Sequence, residues 1–216
     1  DCTIIFDEFY SHYIYNLKED EKYKIISAAD YIDDVDSDPI IIVDGLTKNW
    51  RYPGWRISWI VAPKNVIEAV SSAASFLDGG ANNPFQNQTV ELLNPEHAIQ
   101  ETIAIQKHFR KKRDYMFSRL EKMGIVIESK PEGTFYFWAN LSKLPSPINN
   151  GIKFFEEGLK EKFITVPGIF FDVNPGKRRG FQNAHYQNYC RISFGPELNK
   201  LEIGLNSMER MINKFK

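Results

Sequence analysis

The sequence predicts a mixed fold, α/β or α+β, and three observations carry that prediction. Short, continuously apolar runs such as "IIIVDGL" (residues 40–46) have the pattern of strands buried on both faces. Longer stretches such as "KNVIEAVSSAASFL" (residues 64–77) place Val66, Ile67, Val70, Ala73, Ala74 and Leu77 at helical spacing. The two kinds of segment alternate along the chain, separated by Pro, Gly and Asp clusters.

Taken in order, "CTIIFDEFY" (2–10) reads as a short buried strand that ends in acidic residues. Residues 23–32 form a weaker segment, helix or loop, and "DDVDSDP" (33–39) an acidic turn closed by Pro39. "IIIVDGL" is the second buried strand. "WRISWIVAP" (55–63) is a third, reached through Pro53-Gly54, a connection whose shortness suits an antiparallel return better than a parallel crossover. The helix over 64–77 stops at Asp78-Gly79-Gly80. Residues 84–93 and 95–124 read as two further helices, the second with Pro95 at its start and Gly124 past its end. Strands follow over 125–131 and 134–141, then a helix over 152–163 and a strand over 164–171. A Gly-, Arg- and Asn-rich loop, a strand at 189–195 and a helix from Glu197 close the chain.

Composition narrows the function. With 216 residues the chain holds one large domain or two small ones, and 43% hydrophobic with 25% charged residues is ordinary for a soluble globular protein. The net charge of -1 offers no basic field for nucleic acid or an anionic membrane. The basic run "KHFRKKR" (107–113) is expected to be a solvated helix face. Cys2 and Cys190 make no CxxC, and His12, His97, His108 and His185 make no zinc signature. Reduced thiols, no bilayer-spanning run and no secretory signal predict a cytoplasmic location. The chain opens on Asp1, almost inside a strand, which predicts further sequence upstream.

Lys48 is the first candidate for chemistry. It stands just past an apolar strand, and active sites of open α/β sheets lie at strand carboxyl ends. A lysine held there is partly desolvated, which lowers its pKa and suits it to Schiff-base chemistry. Arg56 follows eight residues later, where Pro53-Gly54 turns the chain back. Its guanidinium is suited to clamp a phosphate; the alternative is a surface arginine packed on Trp55 or Trp59. Asp7 ends the other early strand, as a turn cap or as a carboxylate at the same sheet mouth. Tyr10 lies three residues on.

"DEFY" (7–10), "GLTKNWRYPGWRIS" (45–58) and "YCRISFG" (189–195), in that order and separation, resemble the class I/II aminotransferases of fold type I, which use pyridoxal 5'-phosphate. "PEGTFYFWANL" and "ITVPGIFF" resemble that family's small-domain strands. The resemblance covers essentially the whole chain but only the C-terminal half of the family's fold. It implies an α/β piece in which residues 1–83 complete the large cofactor domain and 84–216 form the small domain. It implies that Lys48 forms the Schiff base with the cofactor and that Asp7 keeps the pyridine nitrogen protonated. Tyr10 would bond the ring's phenolic oxygen, Arg56 would grip the phosphate with Thr47 beside it, and Arg191 would pair with the substrate α-carboxylate. The reaction implied moves an amino group between an amino acid and a 2-oxo acid, in a homodimer when the enzyme is intact; the isolated fragment, with half the site, is expected to be inactive. A lyase or amino-acid synthase of the same fold would use the same residues, and a regulatory aminotransferase-like domain would retain the fold without catalysis. Five positions depart from the family pattern. Gly45 stands where a serine is common, Trp50, Arg51 and Tyr52 are larger than usual, and Ser58 replaces a small glycine or alanine. Trp50, Tyr52, Trp55 and Phe171 either line a pocket for aromatic or large apolar amino acids or belong to the core.

Overall fold

The computed structural model describes residues 2–18 and 21–216. The chain forms two compact units, Asp1–Lys107 and His108–Lys216.

The first unit is built on a three-stranded sheet in the order β1 (Ile4–Asp7), β2 (Ile40–Gly45), β3 (Ser58–Val61). β1 runs parallel to β2, with Ile4 opposite Ile40 and Asp7 opposite Val43. β3 returns antiparallel, with Gly45 opposite Ser58, as the short Pro-Gly connection favours. The acidic turn before β2 closes on its own carboxylates. Asp38 accepts from the amides of Asp33 and Asp34, and Asp34 from the amide of Asp36 and the hydroxyl of Ser37. Residues 23–32 hold only a 3-10 turn, Ala28–Tyr31, with Ser27 as its cap. Helix α1 (Lys64–Leu77) has the predicted bounds, and α2 (Asn83–Leu92) starts where the Asn82 side chain accepts from the amide of Phe85.

Burial departs from expectation in this unit. β1 was expected to be buried, yet Ile4 is 50% and Ile5 67% exposed. The strand pairs on one side only, so its apolar side chains lie at the sheet edge. No residue of α1 is buried either, so its apolar stripe stays in solvent contact.

Helix α3 (Pro95–Met123) contains the division between the units and ends at Gly124 in the left-handed region, φ 88°. The second unit adds β4 (Tyr136–Asn140), α4 (Gly151–Lys160), β5 (Val166–Pro167), β6 (Tyr189–Ser193) and α5 (Leu198–Asn213). Its sheet is antiparallel in the order β4-β6-β5. Burial alternates along β4 and β6, so Phe137, Ala139, Cys190 and Ile192 point into the core while Tyr136, Trp138, Tyr189 and Arg191 share the opposite face. Leu201, Leu205, Met208 and Ile212 form the inner stripe of α5.

Three local expectations fail here. The strand expected over 164–171 shrinks to β5, because Gly168–Phe171 turns into a 3-10 helix. Residues 125–131 make no strand, only a single bridge between Val126 and Asn140, and Pro131 cannot donate to a longer ladder. The basic run is not uniformly solvated. Phe109, Lys112, Arg113 and Met116 recur at helical spacing and are all buried. The Lys112 ammonium donates to the carbonyls of Gly195 at 2.8 Å and Pro196 at 3.0 Å and lies over the Phe109 ring. Burial lowers its pKa to about 8.

Candidate active site

Asp7 is the last residue of β1, and Lys48 follows the end of β2 by three residues. The two strands are parallel neighbours, so both residues lie at the same carboxyl end of the sheet. The connection carrying Lys48 is fixed by its main chain. Leu46 donates to the Ile57 carbonyl at 3.0 Å, and Tyr52 donates back to the Leu46 carbonyl at 2.9 Å. The Lys48 carbonyl accepts from the Arg51 amide at 3.1 Å and from the Tyr13 hydroxyl at 3.0 Å. Leu46, Trp50 and Ile57 anchor the loop in a small apolar core with Trp55, Trp59, Leu92 and Ala98 packed around it. The Trp50 indole donates to the Leu92 carbonyl at 2.9 Å. Trp50 is therefore core. Trp55 stacks on Phe85 with ring centroids 4.9 Å apart, and Tyr52 packs on Trp55.

Lys48 and Thr47 are half-buried on this loop. Arg51 and Arg56 both adopt left-handed backbone, φ 63° and 55°, an uncommon conformation for residues other than glycine. Arg56 is exposed and donates one bond, 2.7 Å, to the Pro53 carbonyl. Among the described residues no carboxylate forms an ion pair with it. Asp7 is exposed and accepts from the Phe9 amide at 3.3 Å. Asp7 and Tyr10 line a cavity of about 420 Å³ together with Glu8, Ser11 and Tyr31.

Beside these lies a polar network that local sequence does not announce. Asn49 is fully buried. Its amide donates to the Asp44 carboxylate at 3.1 Å, to the Ser11 hydroxyl at 3.0 Å and to the Glu8 carbonyl at 3.1 Å. Its oxygen accepts from the His12 amide. Burial raises the Asp44 carboxyl to about 7, against the Gly45 amide bond at 2.6 Å, and the charges of Glu8 and Asp7 add to the rise. His12 packs against Trp50 at 4.8 Å, and its Nδ1 has no hydrogen-bond partner among the described residues. Burial, reinforced by the Arg51 charge, lowers its pKa to about 4.

Gly45 is explained by close approach. A Cβ there would lie 2.7 Å from the Ile57 carbonyl oxygen and 2.8 Å from the Ser58 Cα, both main-chain atoms of the returning strand. Any side chain at this position would force the returning strand to shift.

Arg191 belongs to the second unit, in the central strand β6, between Trp138 of β4 and Val166 of β5. Its guanidinium carbon lies 4.2 Å from the ring centroid of Tyr136 and 4.7 Å from that of Phe171. Among the described residues no carboxylate or carbonyl pairs with this guanidinium. Phe171 also meets Trp138 edge-on, and Trp138 stacks on Tyr189. Among the described residues, no group of acidic, His and Cys side chains is placed to hold a metal, and no helix is long and apolar enough to cross a membrane.

Comparison with known proteins gives the chain a family. The sequence model of the family "Aminotransferase class I and II" matches residues 1–207. The aspartate aminotransferase of Sulfolobus acidocaldarius is 27% identical over 219 residues, covering 98% of this chain and 48% of its own length. A probable aspartate/prephenate aminotransferase of Rickettsia bellii is 28% identical, covering 96% of this chain and 49% of its own. Among solved structures, the aromatic aminotransferase of Pyrococcus horikoshii superposes with a TM-score of 0.78 at 26% identity, over 98% of this chain and 51% of the other. The chain thus spans about half the length of the relatives it matches. It is an α/β chain that matches half of the fold of these enzymes, and it belongs to the class I and II aminotransferase family.

Proposed function

We propose that this chain is the C-terminal half of a pyridoxal 5'-phosphate-dependent aminotransferase of fold type I. The observation that carries the proposal is the placement of Asp7 and Lys48 at the carboxyl ends of two adjacent parallel strands, in a chain of this family. The donor set suits the cofactor's chemistry. A half-buried lysine serves an aldehyde, a carboxylate serves a pyridinium, a phenol serves a phenolate, and an arginine without an ion-pair partner serves a phosphate.

Bound pyridoxal phosphate supplies the aldehyde that takes up the amino group and the ring that accepts the electron pair of the broken Cα–H bond. Lys48 would carry the amine that holds the cofactor, and its free Nζ would take the α-proton. Asp7 accepts a hydrogen bond from the ring nitrogen and keeps it protonated. Tyr10 donates to the ring's phenolic oxygen. Arg56, with the Thr47 hydroxyl, holds the phosphate. Arg191 binds the α-carboxylate that amino acids and 2-oxo acids share, so it serves both half-reactions. Residues 1–83 complete the large domain, 84–216 form the small one, and the intact enzyme is a cytoplasmic homodimer.

The test is Lys48→Ala in the complete enzyme. The visible absorption band of the lysine-bound cofactor should vanish, and transamination with 2-oxoglutarate as acceptor should fall by several orders of magnitude. An unchanged spectrum with retained activity would overturn the assignment.

A further inference from the structure

We propose that Tyr136 and Phe171 are positioning residues for Arg191: both rings pack against its guanidinium as an aromatic clamp and leave N–H donors to a carboxylate. This rests on the reading of Arg191 as the substrate-carboxylate ligand. The motif around Arg191 identifies the arginine; nothing in it identifies its supports.

The geometry is specific. Tyr136 pairs in register with Ser193, so it is the diagonal neighbour of Arg191 on the same face of the sheet. Phe171 comes from a different element, the 3-10 turn Gly168–Phe171 that follows β5. The rings lie 4.2 Å and 4.7 Å from the guanidinium carbon, both within cation–π range. A planar cation packed against aromatic rings keeps N–H donors for the bidentate bond that a carboxylate makes. An acidic neighbour would hold the arginine as firmly but would compete with the substrate for those donors. Two aromatic rings hold it without competing. Phe171 is itself braced by Trp138, which meets it edge-on with centroids 5.5 Å apart. Trp138 in turn stacks on Tyr189, whose hydroxyl bonds Glu128 at 2.8 Å. The clamp is therefore backed by a second row of side chains.

Binding to a preorganised fork costs less side-chain ordering than binding to a mobile arginine. Loss of one ring should weaken carboxylate binding by roughly 5- to 30-fold, the range that one cation–π contact of a partly desolvated arginine supplies. The cofactor should be held as before, because neither ring belongs to its proposed ligands.

The experiment is a pair of titrations on the complete enzyme. One uses 3-phenylpropanoate, a carboxylate with no amino group to react, and the other uses pyridoxal phosphate. The variants are Tyr136→Leu, Phe171→Leu, Tyr136→Phe, Phe171→Tyr and Arg191→Ala. The clamp predicts that both Leu variants bind the carboxylate 5- to 30-fold more weakly, that both aromatic variants stay within about twofold of wild type, and that cofactor affinity holds throughout. Wild-type binding by the Leu variants alongside weak binding by Arg191→Ala would overturn the clamp and leave the role of Arg191 standing. Wild-type binding by Arg191→Ala would overturn that role and the clamp with it. Equal losses in the Leu and aromatic variants would show that shape, not the ring face, is what matters, and would also overturn the clamp. If Tyr136→Leu does not fold, Phe171→Leu decides, since Phe171 is already 36% exposed in its turn.

Discussion

Gly45→Ala is the smallest change that should move the proposed site, and its sign can be worked out beforehand. Two effects oppose each other. Gly45 does not lie in the left-handed region, so alanine suffers no backbone strain and restricts the unfolded chain, which favours folding by about 0.4–1 kcal/mol. Against this, the new Cβ would sit 2.7 Å from the Ile57 oxygen, 2.8 Å from the Ser58 Cα and 2.9 Å from the Ser58 Cβ. Two of these atoms are main chain, so no side-chain rotation relieves the overlap. β3 must move away from β2, and the bond from the Leu46 amide to the Ile57 carbonyl lies at the point of contact. Overpacking costs about 1–3 kcal/mol and a weakened main-chain bond about 1 kcal/mol. The net expectation is a destabilisation of about 1–3 kcal/mol. Urea unfolding followed by tryptophan fluorescence measures it, because Trp50, Trp55 and Trp59 all pack around this loop. The midpoint should fall with an unchanged slope. A neutral or stabilising result would refute the claim that steric closeness excludes a side chain at position 45.

Two further predictions concern pH. Asp44 holds its proton more tightly in the folded chain, about 7 against 3.8, so its contribution is complete below about pH 3.8 and is lost as pH rises to about 7. Asp44→Asn should therefore raise stability at pH 8 by about 1–2 kcal/mol, allowing for partial solvent contact, and change little at pH 4; equal effects at both pH values would exclude ionisation as the cause. His12 runs the other way, about 4 folded against 6.5, so its contribution is complete above pH 6.5 and is lost as pH falls towards 4. His12→Leu should flatten the fall of the unfolding midpoint below pH 6.5, and an unchanged fall would assign acid sensitivity to other groups.

What the sequence made legible follows from the range of the interactions involved. β2 and α1 were readable because their signals are local: an unbroken apolar run in one, a repeat of apolar positions in the other. The antiparallel return of β3 was readable because a Pro-Gly connection of that length permits little else. Residues 125–131 misled because Ile125, Val126 and Ile127 have strand propensity, yet a strand exists only where a partner runs alongside, and Asn140 alone pairs there. The buried reading of β1 failed for a related reason, since an apolar composition does not say how many neighbours a strand has. Asp7, Lys48 and Arg56 stood out by motif. Asn49 did not. Its importance lies in contacts with residues 8, 11 and 12, about forty positions away, and no local pattern marks a buried amide of that kind. Lys112 illustrates the same limit from the other side. A charge run predicts solvent, but helical periodicity turns every third or fourth member inward, where carbonyls can take the charge.

The bonds that hold the loop from Leu46 to Ile57 run through main-chain groups and through Trp50, Asn49 and Tyr13. Lys48 contributes its carbonyl to that support, and any residue at position 48 carries the same carbonyl. These main-chain bonds are therefore independent of the side chain that stands at position 48. Lys48→Ala removes an amine and leaves these bonds in place, whereas Gly45→Ala retains the amine and displaces the strand that the loop is tied to. If the proposed site is correct, the first variant should lose the reaction, and the second should lose stability first and activity only as far as the loop shifts. The same division explains why the sequence places a glycine, and not a second functional side chain, at the end of β2. The returning strand must come within contact distance there, and that approach sets where the carboxyl end of β2 delivers its lysine.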